Sequence, residues 1–415
     1  MIDLQQPVRV HSQNDVSEYC IQFEDVTKAY DRILGKAHVT PILTSKSINA
    51  MLPYENKDMK LFFKVEALQK TGSFKFRGAL NATLSLMEEQ IRNSNNDTNS
   101  KHEVILNNEK KDETTNMMIN VVTHSSGNHA QALALAAQIA SSSSSSDNVN
   151  NNDNDNNNNK YSIQSTIIMP RNAPTIKKNA VASYGGKIIL VDNNNKARKQ
   201  KAEEVVNEYS KTSITSFIHP SENPNVIAGQ GTVALEMMTQ MKESQSKKNG
   251  NHPLDILIIP VGGGGLASGN TIALRGMFGS NVRIVLAEPE VLDDAKRSKD
   301  AGKLLFHSST NKLQSVADGL KTTLGPNTWP IIRDLVDDII TVSEKDILIA
   351  TKLIWERLKI GIEPSAGVGV AVAMSQEFAQ KYGNKDCNYE NVGIILCGGN
   401  VDFLKVASMM SDIGL

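Results

Sequence analysis

The sequence predicts an α/β fold of two domains, each with a mainly parallel sheet flanked by helices. Three observations predict it. Near-continuous apolar runs bounded by turn residues recur along the chain, namely "NVVTHS", "STIIMP", "GKIILVD", "DILIIPVG", "RIVLAEP" and "VGIILCGG". Such runs suit strands buried on both faces, as in parallel sheets. Between them lie helix-like segments such as "HAQALALAAQIA", "GTVALEMMTQM" and "DILIATKLIWERL", the crossovers that parallel strands require. The third observation is length, since 415 residues suffice for two domains of ordinary size.

In chain order, residues 1–85 are expected to open a large domain that resumes at 223–415, with a small domain over 120–222. The opening "MIDLQQPVRVHSQND" lacks the basic-then-apolar layout of a secretory signal. No apolar run approaches the ~20 residues of a membrane helix. Residues 91–117 are rich in Asn, Glu and Lys, and 141–160 contain "SSSSSS" and "NVNNNDNDNNNN". These tracts are too polar to offset the entropy of ordering them and are expected to be disordered surface insertions. A net charge of −1 and a pI near 6.7 give no electrostatic footprint for nucleic acid or an acidic membrane. Cys20, Cys387 and Cys397 form no CxxC pair and no disulfide framework, which suits a reducing, cytoplasmic location.

Ligands of parallel α/β sheets bind beyond strand C-termini, and "THSSGNH", "PVGGGGLASG", "AEPEVLDD" and "LCGGN" all begin where a strand ends. In "VGGGGLASG" the four glycines Gly262, Gly263, Gly264 and Gly265 let main-chain amides turn onto an anion at a helix N-terminus. The pattern is neither GxGxxG nor GxxxxGK[ST], so a single phosphate ester suits it better than a dinucleotide or nucleoside triphosphate. In "KTGSFKFRG" Lys75 stands between two phenylalanines. A lysine in apolar surroundings has a lowered pKa and can condense with an aldehyde. A phosphate cradle with such a lysine suggests pyridoxal phosphate, with Phe74 against its ring. The turn "SSGNH", residues 125–129, offers amides and hydroxyls to a carboxylate, or is an ordinary helix cap. Glu288 and Asp294 in "AEPEVLDD" are hard oxygen ligands suited to Mg²⁺ or Ca²⁺, or a solvated acidic turn.

"QKTGSFKFRGALNA", "VTHSSGNHAQAL", "VGGGGLASG" and "LCGGN" resemble the signature segments of fold-type-II pyridoxal-phosphate enzymes, the tryptophan-synthase-β-like fold. Within the serine/threonine dehydratase family of that group, the serine racemases are the nearest likeness. "ADGLKTTLGPNTWPIIRDLVDDIITVSE", "WERLKIGIEPSAGVGVA" and "IHPSENPNVIAGQGT" carry it, and it spans about 25–405 apart from the polar tracts.

The resemblance implies a homodimer that interconverts L- and D-serine and also eliminates water from serine to give pyruvate and ammonia. A dehydratase without racemisation, acting on L-serine, L-threonine or 3-hydroxyaspartate, is the alternative. A non-catalytic cofactor carrier or amino-acid sensor is a further one. Lys75 would be the Schiff-base lysine and Asn128 the partner of the cofactor's phenolic oxygen. Gly262, Gly263, Gly264, Gly265 and Leu266 would hold its phosphate, and Cys397 would face its pyridine nitrogen. Ser125, Ser126, Asn128 and His129 would meet substrate, with Lys75 and Ser126 as acid/base groups on opposite faces of the α-carbon. Glu288, Asp294 and the Leu292 carbonyl would bind Mg²⁺ (or Ca²⁺ or Mn²⁺). Lys70, Thr71, Gln131, Tyr184, Lys359 and Asn400 would bind ATP between subunits as an effector. Ser221, after "HP", stands where the family has asparagine.

Overall fold

The computed structural model describes residues 19–96, 117–125, 127–146, 161–244, 252–307 and 314–415. Its strands in chain order are β1 (Ile42–Leu43), β2 (Lys60–Val65), β3 (Met117–His124), β4 (Tyr161–Pro170), β5 (Lys187–Val191), β6 (Ile214–Phe217), β7 (Ile256–Pro260), β8 (Arg283–Pro289), β9 (Asp338–Val342) and β10 (Asn391–Leu396). The chain divides into two compact units, 1–77 with 221–415, and 78–220. The sequence suggested a first break at 85. The observed division falls inside the helix Lys75–Asn96, where no change of composition marks it.

The larger unit is built on a six-stranded sheet of order β1-β2-β10-β7-β8-β9. All neighbours are parallel except the short β1, which runs antiparallel to β2. β7, β8 and β10 are apolar runs whose residues are almost all buried, as parallel strands covered on both faces must be. The helix Pro364–Ala373, "PSAGVGVAVA", is buried along its whole length and packs on β7, β8, β9 and β10. The helices Pro224–Ser244 and Gly265–Phe278 cross so closely that a Cβ on Gly269 would collide with the Ile227 carbonyl. Loops after β10, β7 and β8 therefore leave the sheet side by side at one edge.

The smaller unit is a four-stranded, wholly parallel sheet of order β5-β4-β3-β6. Val122, Ile168, Ala202 and Val205 form a core beneath the helix Asn195–Tyr209. Both polar tracts are shorter than the sequence suggested. Residues 91–96 continue the helix begun at Lys75, and Met117 already belongs to β3. Ser141–Ser146 continue the helix Asn128–Ser146. There the Ser141 hydroxyl donates to the Ile163 carbonyl at 3.1 Å and accepts from the Ile163 amide at 2.8 Å, a tie to β4 that composition does not reveal. The remainder of both tracts, 97–116 and 147–160, lies outside the described residues.

Candidate active site

Lys75 is placed by a short antiparallel contact between its own loop and the loop after β10. Ser73 bridges Gly398. The Phe74 amide donates to the Cys397 carbonyl at 3.1 Å, and the Gly399 amide to the Gly72 carbonyl at 2.9 Å. Asn400 Nδ2 donates to the Thr71 carbonyl at 2.7 Å. Thr71 and Gly72 are both left-handed, with φ of 58° and 69°, and a Cβ on Gly72 would stand 2.6 Å from Asn400 Oδ1. Glycine is needed there for both reasons. The turn thus delivers Lys75 to the first position of its helix, beside Cys397.

The electrostatics of this corner follow from burial. Desolvation lowers the Lys75 pKa to about 8, against the opposing pull of Glu363. Its Nζ lies 5.0 Å from the centroid of the Phe74 ring. Burial also pushes the Cys397 thiol well above its ordinary range, with Glu363 adding to the effect, so Cys397 is a neutral neighbour. Glu363 belongs to this corner although sequence reading missed it. It is buried, its amide donates to the Gly398 carbonyl at 3.0 Å, and it begins the buried helix Pro364–Ala373.

Two residues beyond Lys75, Arg77 anchors the helix start in a buried charge network. Its guanidinium donates to Glu66 at 2.8 Å through both Nε and Nη2, and to Glu236 at 3.0 and 2.8 Å. Lys64 Nζ completes the set, donating to Glu236 at 2.6 Å, the Thr40 carbonyl at 2.7 Å and Gln240 at 2.8 Å. Two cations and two carboxylates balance where any one alone would be prohibitively costly. Burial lowers the Lys64 pKa, and Glu236 and Glu66 oppose that.

The glycine loop follows β7. Gly264, at φ 80°, precedes the helix Gly265–Phe278, whose second residue is Leu266. Added Cβ atoms would meet the Leu320 backbone at 2.9 Å from Gly262, Ser221 Oγ at 2.6 Å from Gly263, and Thr328 Cβ at 2.7 Å from Gly264. Side chains are excluded, leaving main-chain amides at a helix N-terminus as the loop's polar surface. Ser221, known from sequence only as a departure from the family, lines this loop. The buried hydroxyls of Thr71 and Ser73 have no hydrogen-bond partner. An orphaned hydroxyl near a lysine of depressed pKa, with an anion cradle in the same unit, fits pyridoxal phosphate.

In the smaller unit, Ser125 follows β3 and its Oγ accepts from the Gly127 amide at 3.3 Å. Asn128 and His129 begin the helix Asn128–Ser146. The His129 ring is buried, with Nε2 3.3 Å from the Ile218 carbonyl, so its side chain ties the fold together while its amide stays in the helix's first turn. Gln131 is buried in the same helix, and Tyr184 follows the helix Thr175–Ser183. Ser126 lies outside the described residues. Of the nucleotide set in the larger unit, Thr71 and Asn400 are joined by the bond given above. Lys70 Nζ lies 5.9 Å from the Phe76 ring centroid, and Lys359 is left-handed at φ 60°.

The loop after β8 buries two carboxylates. Glu288 accepts from the Ala295 and Lys296 amides, each at 2.9 Å, and Asp294 Oδ2 from the Leu324 amide at 3.0 Å. Burial raises Glu288 well above the usual carboxylate range and Asp294 to about 7. Leu292, in the turn Glu290–Leu292, is buried beside them. Among the described residues, no three His, Cys, Asp or Glu side chains converge as a ready-made metal cage. Carboxylates desolvated in this way, with main-chain amides as their hydrogen-bond donors, do fit a divalent cation that completes its shell with carbonyl oxygen and water.

Comparison with known proteins shows the family. The chain matches the pyridoxal-phosphate dependent enzyme family over residues 33–144 and 159–398. It is 40% identical to the serine racemase of Homo sapiens over 387 residues, 93% of either protein. Among solved structures, maize serine racemase is 37% identical with a TM-score of 0.73, over 95% of this chain and 98% of that one. The T.th. threonine deaminase is 31% identical with a TM-score of 0.69, over 92% of this chain and 99% of that one. The chain belongs to the fold-type-II family of pyridoxal-phosphate-dependent enzymes, on the branch of the serine racemases.

Proposed function

We propose that the protein interconverts L- and D-serine and, from the same site, eliminates water from serine to give pyruvate and ammonia. The observation that carries this reading is Lys75, a desolvated lysine with a pKa near 8 fixed beside Cys397 in a chain 40% identical to a serine racemase. Pyridoxal phosphate, when bound, supplies the electron sink that makes the α-proton of an amino acid removable. Lys75, Phe74, Asn128, Cys397, the glycines 262–265 and Leu266 would hold it. A pKa near neutrality suits Lys75 Nζ to take and return a proton at one face of the α-carbon, with Ser126 serving the opposite face. The neutral Cys397 thiol places no cation or anion against the cofactor ring, which favours proton transfer and β-elimination over deeper carbanion chemistry. Amides and hydroxyls of Ser125, Ser126, Asn128 and His129 would receive the substrate carboxylate.

Around this core the reading places Mg²⁺, Ca²⁺ or Mn²⁺ at Glu288, Asp294 and the Leu292 carbonyl. ATP would act as an effector on Lys70, Thr71, Gln131, Tyr184, Lys359 and Asn400, in a cytoplasmic homodimer. No described helix is long and apolar enough to cross a membrane. The likeness to a threonine deaminase favours a second reading, a dehydratase alone. Incubation with L-serine, with D-serine and pyruvate measured in one sample, tests both. Both products support the racemase, pyruvate alone the dehydratase, and neither product overturns the two together.

A further inference from the structure

The cation reading of the β8 loop involves only oxygen ligands, but a nitrogen stands at the same place. His307, from the segment after the helix Asp294–Ala301, has a side chain only 9% exposed. Its Nε2 is 3.1 Å from Asp294 Oδ1, yet that nitrogen is buried with no hydrogen-bond partner. The two atoms are close without the alignment of a hydrogen bond. That is the geometry of neighbouring ligands on one metal, since bonds of about 2.1 Å at right angles put two donor atoms roughly 3.0 Å apart. Asp294 keeps its other oxygen on the Leu324 amide, so Oδ1 is the one turned toward His307. Glu288, already holding two amides, adds buried negative charge to the same loop.

We propose that His307 is a direct ligand of the cation held by Asp294, and that this protein accordingly prefers a nitrogen-accepting transition-metal dication, such as Mn²⁺ or Co²⁺, over Mg²⁺ and Ca²⁺. The proposal rests on the reading of the β8 loop as a cation site and adds a ligand from a different segment of the chain. Imidazole raises affinity along the series Mn²⁺ to Co²⁺ far more than for magnesium or calcium, which take oxygen and water. The Asp294–His307 pair supplies two side-chain donors and the Leu292 carbonyl a third, and waters complete the shell, with Glu288, whose oxygens already hold two amides, meeting the cation through one of those waters.

The test uses the holoenzyme stripped with chelator and refilled with MgCl₂, MnCl₂ or CoCl₂, in wild type and in His307→Asn. Affinities come from calorimetry, and thermal midpoints follow as ligand linkage requires. Wild type should bind Mn²⁺ and Co²⁺ at least about tenfold more tightly than Mg²⁺, a difference of roughly 1.4 kcal/mol. His307→Asn should lose most of that preference while changing Mg²⁺ affinity little. Pulsed EPR of the Mn²⁺ form should show coupling to an imidazole nitrogen that the variant lacks, a readout independent of activity and of how the variant folds. Cation binding with the same preference in both proteins and no nitrogen coupling overturns the role of His307 and leaves the oxygen site standing. If no dication binds or shifts the midpoint of wild type, the cation reading of the loop falls, and His307 with it.

Discussion

Between Phe74 and Phe76, Lys75 holds an amine where its charge is poorly solvated, and this has a measurable cost in the cofactor-free protein. Its folded pKa, about 8, is below the ordinary 10.5, so between those values the unfolded chain binds more protons. Stability therefore rises with pH across that window. Below pH 8 the buried ammonium is destabilising by up to about 3 kcal/mol. Lys75→Met removes the charge and keeps most of the volume. The cofactor-free variant should be more stable than wild type at pH 7, with the advantage shrinking from pH 8 and gone near 10.5, while turnover is lost with nucleophile and base together. Urea titrations at three pH values decide it. A difference that does not change with pH would mean that the amine is well solvated and that its reactivity has another origin. Sequence alone exposed this residue because a lysine between aromatics conflicts with a solvated surface. The same reasoning could not find Glu363, whose neighbours Gly398 and Lys75 come from distant segments, or His307, which meets Asp294 only once the chain has turned back after the helix Asp294–Ala301.

At the scale of elements, legibility followed hydrophobic continuity. β3, β4, β5, β7, β8 and β10 were visible as apolar runs. β2, "KLFFKV", lies between β1 and β10 in its sheet yet was not singled out, because it begins on Lys60 and Lys64 interrupts its short apolar run. Lys64 is buried only because Glu236, the Thr40 carbonyl and Gln240 receive its ammonium, and such partners lie far off in the chain. The same network gives a prediction for the helix that carries Lys75. Arg77→Met removes one of the two cations that Glu66 and Glu236 share with Lys64 among the described residues and should cost about 3–5 kcal/mol by denaturant unfolding. A loss under 1 kcal/mol would show that the carboxylates neutralise or hydrate freely. The glycine loop gives another. Gly263→Ala sets a methyl group 2.6 Å from Ser221 Oγ and 3.0 Å from its Cβ, and overpacking of this kind costs about 1–3 kcal/mol. Adding Ser221→Gly removes both atoms, so the double variant should recover much of the stability and cofactor affinity lost by the single one. If the two changes are simply additive, Ser221 does not pack on the loop as described.

For the molecule as a whole, two mainly parallel sheets and a family resemblance leave one question of function that a single residue can settle. Racemase and dehydratase share Lys75, the glycine cradle and the elimination route; only racemisation also needs a proton donor on the second face of the α-carbon. Ser126 is the candidate. It lies between Ser125 and Gly127, where β3 gives way to the helix Asn128–Ser146. Ser126→Ala should abolish D-serine formation from L-serine while pyruvate formation from L-serine persists. Pyruvate formation from D-serine should be lost as well, because the α-proton of the D-isomer points to the face that Ser126 serves. A serine that only helps to start the helix would behave differently. Its loss would cost about 1 kcal/mol of stability and slow racemisation and elimination from either isomer by a common factor. The ratio of the four rates therefore separates the two roles without reference to absolute activity. Selective loss of the reactions on the second face assigns the proton donor, and a proportional decline in all four returns Ser126 to the backbone and leaves the second base to be found elsewhere.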